Sequence, residues 1–408
     1  MAGVFEDDKC VIEFLIQFMK GYSILVIAWN AYLGHVEEFI VNLKKTNPDV
    51  KVGLLTSEPE SGMNSMPTGI VENTSEISFF QKPSREYGNK LVDGLIKRFL
   101  FLRTFICLSK KRYDIVNIHF VMPTFSHVMP WIKKVSRYIV ISPWGSDVFR
   151  IEGSKKIHQL QGVYEASQFV TVGKESQIGK RLIDEFKVEP EKLVGMGWGG
   201  AFFDFIQENS VNVTNEEAKE RFGLNGRYVI TCGYNTQKEQ RHEAIIEAIH
   251  RVREQLPENL TLMFPFTYGR TEWSDTYTEA IKEKAKDLGF HVASVEENLE
   301  MLDLLKLRMA TDIFVHVQTT DAGSRCVMEY VACNKKVVHG SWIYYGYLEK
   351  YKPSCYFPVD RLENLGECVV KAYHTPIEPL PEEVMDIILK RGWKHKMELW
   401  NNFFESLL

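Results

Sequence analysis

Two carboxylates with seven residues between them, Asp321 and Glu329 in the run Asp321-Ala322-Gly323-Ser324-Arg325-Cys326-Val327-Met328-Glu329, are the side chains best spaced to do chemistry in this 408-residue chain. The first stands on a glycine-bearing loop and the second inside a helix. Backbone N–H groups around Gly323 to Arg325 would open that helix and face a diphosphate. Glu329, about a turn further in, would accept hydrogen bonds from both hydroxyls of a ribose, while Asp321 reaches the hydroxyls of a sugar at the other end. Two anions beside one diphosphate are tolerable only if they sit at its two ends. Taken alone the spacing is more often a pair of solvated acids, since carboxylates are mostly exposed, so the surroundings decide.

Those surroundings are a strand and a helix. The run 312–317 (Asp-Ile-Phe-Val-His-Val) reads as a buried strand and 327–332 as a helix. The loop therefore falls at the carboxyl end of a strand, where open α/β sheets bind ligands. A second strand, 228–232, leads into Gly233-Tyr234-Asn235-Thr236-Gln237-Lys238-Glu239-Gln240-Arg241-His242. Here Lys238 and Arg241 are the cations best placed to meet a diphosphate, the arginine bidentately and the lysine as a mobile point charge; the alternative is surface charge in a solvated turn. In the first half, Pro143-Trp144-Gly145-Ser146-Asp147-Val148 follows a strand at 138–142, and His119 ends a strand at 115–119. A neutral imidazole there can hydrogen-bond a sugar hydroxyl and, when protonated, offset leaving-group charge. Gly34, after the first strand, would give backbone room near phosphates.

The stretch from Thr320 to Val338 resembles the donor-site signature of family 4 (group 1) glycosyltransferases of the GT-B fold, with Asp321 where that family usually has Glu and Glu329 as its second acid. Residues 143–148 resemble the family's His/Trp-Gly-Ser-Asp segment, which lines the cleft facing the sugar. Residues 113–120 are similar to its Asp-(apolar)2-His-x-His element, with Asn117 in place of the first His and His119 matching the second. The resemblance implies His119, Asp147 and Asp321 at the reacting sugar. It implies Gly34, Gly233, Asn235, Lys238, Arg241, Gly323, Ser324, Arg325 and Glu329 around the donor. The Gly233-Tyr234-Asn235 opening followed by Arg241-His242 is also similar to GT-B transferases that move 4-acetamido-fucose onto a lipid-linked acceptor. The first likeness implies retention at the anomeric carbon, the second inversion. Charge at the pyrophosphate would be balanced by Lys238, Arg241, Arg325 and helix dipoles. With no Asp-x-Asp sequence in the chain, neither a metal nor another cofactor is expected.

Composition narrows the class further. Apolar content of 45% and charged content of 25% are those of a globular protein, and a net charge of −5 argues against a nucleic-acid binder. Seven cysteines, none in a Cys-x-x-Cys pair, point to a reducing cytoplasm. Gly195-Met196-Gly197-Trp198-Gly199-Gly200 satisfies G-x-G-x-x-G on paper but lacks the strand context and ribose-binding acid of a dinucleotide site. Between Leu91 and Arg137 nine basic residues stand against two acidic ones. Leu91, Leu95, Phe99, Leu102 and Ile106 form an apolar helical stripe through that stretch. Either this is a core-facing helix with solvated lysines or a surface that lies on anionic lipid, peripheral to a membrane, which would suit a lipid-linked acceptor.

Strands alternate with amphipathic helices along the whole chain, as in a parallel, doubly wound α/β fold. The pattern starts at 24–28 and restarts at 228–232 after a polar segment at 207–227. The expected organisation is an N-terminal extension at 1–18, too acidic in front and too short for a signal peptide or span; a Rossmann-like acceptor domain at 19–206; a Rossmann-like donor domain at 207–375, facing the first across a cleft; and helices at 376–408 returning to the first domain. A glycosyltransferase using a nucleotide-diphosphate sugar, with a glycan or lipid-linked acceptor, is the reading these features favour. The alternatives are a nucleotide-sugar epimerase of the same fold and a GT-B module that binds without turnover.

Overall fold

Runs of consecutive β-branched and aliphatic residues build two sheets whose central strands are buried on both faces, the signature of parallel sheets covered by helices. The computed structural model describes residues 21–29, 33–58, 66–81, 89–209, 213–269, 274–321 and 323–408; the expected extension at 1–18 lies outside them. In the first sheet the strands are β1 (Ser23–Ile27), β2 (Lys51–Thr56), β3 (Glu76–Phe79), β4 (Ile115–His119), β5 (Tyr138–Ser142) and β6 (Phe169–Val170), in the order β3-β2-β1-β4-β5-β6. Every pairing is parallel. The second sheet contains β7 (Tyr228–Cys232), β8 (Leu260–Pro265), β9 (His291–Val295), β10 (Ile313–His316), β11 (Lys336–Gly340) and β12 (Tyr356–Val359). Its order, β12-β11-β10-β7-β8-β9, repeats the first sheet's, again wholly parallel.

That order places a reversal of winding between β1 and β4 in one sheet and between β7 and β10 in the other. Ligands bind open α/β sheets outside the carboxyl ends of the strands at such a switch point. The loop after β7 begins at Gly233 and the loop after β10 carries Asp321, so both candidate loops of the second half rise from the two strands that flank its switch.

The chain divides into two compact units, residues 1–199 with 394–408 and residues 200–393. The break falls before the helix Ala201–Asn209, ahead of the expected boundary at 206/207. Phe202, Phe203 and Ile206 of that helix are buried in a core of the second unit, and Val384 and Ile388 hold the segment after 376 there as well. Only from Lys394 does the chain belong to the first unit: in the last helix, Trp393–Ser406, the Trp400 indole N–H donates to Gly197 O at 3.1 Å and the ring meets Phe39 edge-on at 5.1 Å.

The polar stretch expected to separate the halves folds instead. Thr214 and Glu217 form a capping box that starts the helix Asn215–Arg221, and Lys219 of that helix pairs with Asp312 at 2.9 Å. After the first sheet's last strand, the chain at 192–198 meets the sheet only through a single bridge between Val170 and Leu193. Gly195, Gly197, Gly199 and Gly200 have no side chains to pack on a pleated surface.

Candidate active site

Gly233 sits at φ +65°, and a Cβ there would stand 2.8 Å from His242 Nε2 and 2.9 Å from Gln240 Oε1, so both backbone angle and space demand glycine at the exit of β7. The loop it opens turns on Asn235, a buried residue whose Oδ1 accepts the Gln237 N–H at 2.9 Å. Asn235 is thus a loop-building residue. Lys238 is exposed with its ammonium 5.8 Å from the Tyr277 ring, and Arg241, in the left-handed region at φ +59°, stacks 5.4 Å over Trp342. A non-glycine residue held at positive φ marks local strain of the kind functional loops retain.

Gln318 ties this loop to the one after β10. Its Oε1 accepts from Tyr234 OH at 2.9 Å and from Gln240 Nε2 at 2.6 Å; its Nε2 donates to Thr320 O at 2.8 Å; and its carbonyl accepts the Trp342 indole N–H at 2.8 Å. Thr319 N–H donates to Glu239 O at 3.1 Å. Loops nearly 80 residues apart in sequence are therefore one clamped surface, and Lys238, Arg241 and the Asp321 loop share it.

Both acids of that surface have protein partners. Asp321 Oδ2 accepts from His316 Nε2 at 2.9 Å, which puts the imidazole proton on Nε2 and leaves Nδ1 buried with no hydrogen-bond partner. The Tyr234 ring lies 5.5 Å from that of His316, and burial drives the Tyr234 phenol well above its ordinary pKa, with the Asp321 charge adding to the shift. Glu329 is buried in the helix Arg325–Ala332 and paired with Arg308, from the helix Met301–Ala310. Arg308 Nε and Nη2 both reach Glu329 Oε2, at 3.0 and 2.8 Å, while Nη1 donates to Tyr330 OH at 3.1 Å. Because both donors converge on one oxygen, the arginine orients the carboxylate and leaves Oε1 outside its grip.

The start of that helix departs from expectation. Ser324 is the N-cap, its hydroxyl accepting the Cys326 N–H at 3.2 Å, and its own N–H donates to Tyr345 OH at 3.2 Å. One of the amides read as facing a diphosphate, that of Ser324, is thus engaged within the protein, as is the next one into the helix, that of Cys326. Gly323, at φ +93°, supplies the turn, and the Arg325 side chain lies against Gly200.

In the first unit, Asp147 is a scaffold residue. Its Oδ1 accepts the N–H groups of Trp144 (2.8 Å) and Gly145 (3.0 Å), and its Oδ2 accepts that of Val121 (3.0 Å). This fastens the turn after β5 to the chain leaving β4. Burial raises the carboxyl pKa to about 6, against the lowering effect of those hydrogen bonds. These backbone donors give Asp147 a part in positioning the turn after β5. His119 is likewise enclosed. It packs among Phe39, Trp144 and Trp198 with ring centroids 5.5, 6.1 and 5.2 Å away, both ring nitrogens buried and without a hydrogen-bond partner. Burial lowers its pKa to about 3, which favours the neutral imidazole at neutral pH. The next residue, Phe120, takes φ +60° at the exit of β4. Gly34 lies in the first turn of the helix Leu33–Thr46, with open space where a Cβ would stand.

Residues that sequence reasoning missed are His316, Gln318, Arg308, Tyr234 as a site residue, Gln240 and Tyr345. His316 had a signal, an ionisable side chain in the last position of a buried strand; Arg308 had none, since its helix carries Asp303 and Lys306 as well.

Compared with solved structures, the chain has the GT-B fold, two α/β units each built on a doubly wound parallel sheet. It is similar to a glycosyltransferase from Rickettsia africae (14% identity, TM-score 0.68, covering 95% of this chain and 98% of that one). It is similar also to Anabaena HepE in complex with UDP and glucose (13%, 0.66, 94% and 100%) and to a sucrose-phosphate synthase from Thermosynechococcus elongatus (10%, 0.67, 95% and 99%). No protein-family model matches the sequence, and no curated protein matches it.

Proposed function

We propose that this protein is a glycosyltransferase that moves a sugar from a nucleotide-diphosphate sugar, bound at the switch point of the second sheet, to a hydroxyl acceptor. The observation that carries the reading is the Gln318 clamp, which joins the cation-bearing loop after β7 to the acid-bearing loop after β10. Lys238 and Arg241 then meet the diphosphate, with the Gly323–Arg325 turn beside it. Glu329, aimed by Arg308, takes the ribose hydroxyls through Oε1, and Asp321, braced by His316, takes hydroxyls of the transferred sugar. Fixed cations at a leaving diphosphate supply the electrostatic stabilisation that transfer needs, so the reaction is proposed to run without a metal and, on the family 4 likeness, with retention. The acceptor proposed is a lipid-linked or polysaccharide precursor. A cytoplasmic setting is proposed too, supported by the free cysteines at 107, 232, 326, 333, 355 and 368. The presence of UDP and glucose in the HepE complex supports screening uridine donors first.

The test is a panel of nucleotides and nucleotide sugars read by thermal shift, in which a ligand at a hundred times its Kd adds about 2.7 kcal/mol. A response to a nucleotide-diphosphate sugar, followed by transfer whose product anomer is assigned by NMR, is the expected result. If no nucleotide or nucleotide sugar shifts the transition, the reading fails.

A further inference from the structure

The helix Lys90–Leu108 has two apolar faces, and only one of them meets the core. Thr104, Phe105 and Leu108 turn inward and are buried. Leu91, Leu95 and Phe99, each four residues from the next, and Ile106, seven further on, lie along another side and are 80%, 65%, 61% and 39% exposed. The expected stripe thus exists, but it faces away from the sheet, and only Leu102 among its expected members packs against the core. Scattered exposed leucines need no explanation, whereas a continuous apolar row on one helix does.

Its charge says what would cover it. Arg98 lies beside the row on one side and Arg103 and Lys110 on the other, all exposed, and none of the three forms an ion pair among the described residues. Past the helix end, Arg112, Lys133, Lys134 and Arg137 line a single concavity of the same unit. In a protein of net charge −5, exposed cations thus flank the apolar row, and more of them line the same unit past the helix end. No helix among the described residues is long and apolar enough to cross a bilayer, so this element would lie on a membrane rather than in it.

We propose that the helix Lys90–Leu108 docks the protein on an anionic lipid surface, with Leu91, Leu95 and Phe99 entering the headgroup boundary and Arg98 and Arg103 pairing with lipid phosphates. An amphipathic helix binds an interface in this way by combining buried apolar area with attraction to anionic headgroups. The proposal does not rest on the donor assignment.

Cosedimentation of the full chain with vesicles tests it. With phosphatidylcholine containing a third phosphatidylglycerol, binding is expected at low salt and should fade as salt rises, while phosphatidylcholine alone binds far less. Arg98→Gln with Arg103→Gln should cut partitioning about 25-fold, from about fivefold per cation removed near the surface. Leu95→Ser with Phe99→Ser should cut it by roughly ten- to a hundredfold. Because these positions are exposed, both double variants should keep the wild-type circular dichroism and melting temperature, which separates lost docking from lost folding. No sedimentation with anionic vesicles at low salt overturns the proposal, as does equal binding to both lipid mixtures. So does a concentration-dependent dimer, seen by light scattering, that Phe99→Ser dissolves, since the row would then be a contact between two copies of the chain.

Discussion

Removing the charge of Glu329 should destabilise the second unit before it does anything to a substrate. The carboxylate and the Arg308 guanidinium are 10% and 7% exposed at their side chains and are joined by two hydrogen bonds of 2.8 and 3.0 Å to one oxygen. With so little solvent to screen it, an arginine stripped of its partner remains a buried cation, and losses of this kind run about 3–5 kcal/mol. Glu329→Gln keeps an acceptor for Arg308, so the lower end, about 3 kcal/mol, is expected. Arg308→Met leaves the carboxylate buried and should cost about as much. The double variant has neither orphan charge, and its loss should fall short of the sum of the singles by roughly 2 kcal/mol or more. Hydrogen exchange on peptides covering β7 and β10 reads the second unit by itself, which a global melt of a two-unit chain does not. Calorimetry well below the transition then shows whether donor affinity falls in Arg308→Met, where Glu329 is present but no longer aimed. Additive single losses, within about 0.5 kcal/mol, would refute the account of Glu329 as a carboxylate held by one buried cation.

Lys238→Ala and Arg241→Ala should each weaken a nucleoside diphosphate more than the monophosphate, as measured by calorimetry; equal losses would move the cations away from the diphosphate. Transfer should persist in excess EDTA, and a strict need for Mg²⁺ or Mn²⁺ would contradict metal-independent chemistry. Burial holds the folded pKa of His119 near 3, below the free value of 6.5, so the unfolded chain binds the extra proton as the pH falls. This contribution to stability is present above about pH 6.5 and is lost toward pH 3; His119→Phe should therefore gain about 2 kcal/mol on wild type at pH 5 relative to pH 8. Asp147 has the opposite sign: with a folded pKa near 6, its contribution is full below about pH 4 and is lost as the pH rises through 6. Asp147→Asn should flatten that part of the urea-denaturation profile, and an unchanged profile would argue against its burial.

The strands were legible because parallel strands covered on both faces must be apolar along their whole length, as in Ile24–Ile27 or Phe314–Val315, and no other element explains such short, unbroken runs. The Asp321 loop was legible for the same reason, since the chain must turn where the apolar run of β10 ends. Sequence also set the glycine at 233 and the helix phase of the stripe from Leu91 to Ile106. The partners of the charged groups were not legible. Arg308 reaches Glu329 across 21 residues, and the Val121 N–H reaches Asp147 across 26, through contacts that arise only once helices are laid on the sheet. Strand order belongs to the same class, because local periodicity is identical whether β10 lies beside β7 or elsewhere. So does the exposure of Leu95 and Phe99: a period of 3.6 says which side chains share a face, whereas whether that face meets core or solvent depends on how the helix Lys90–Leu108 is rotated over β4 and its neighbours, which is a property of packing alone.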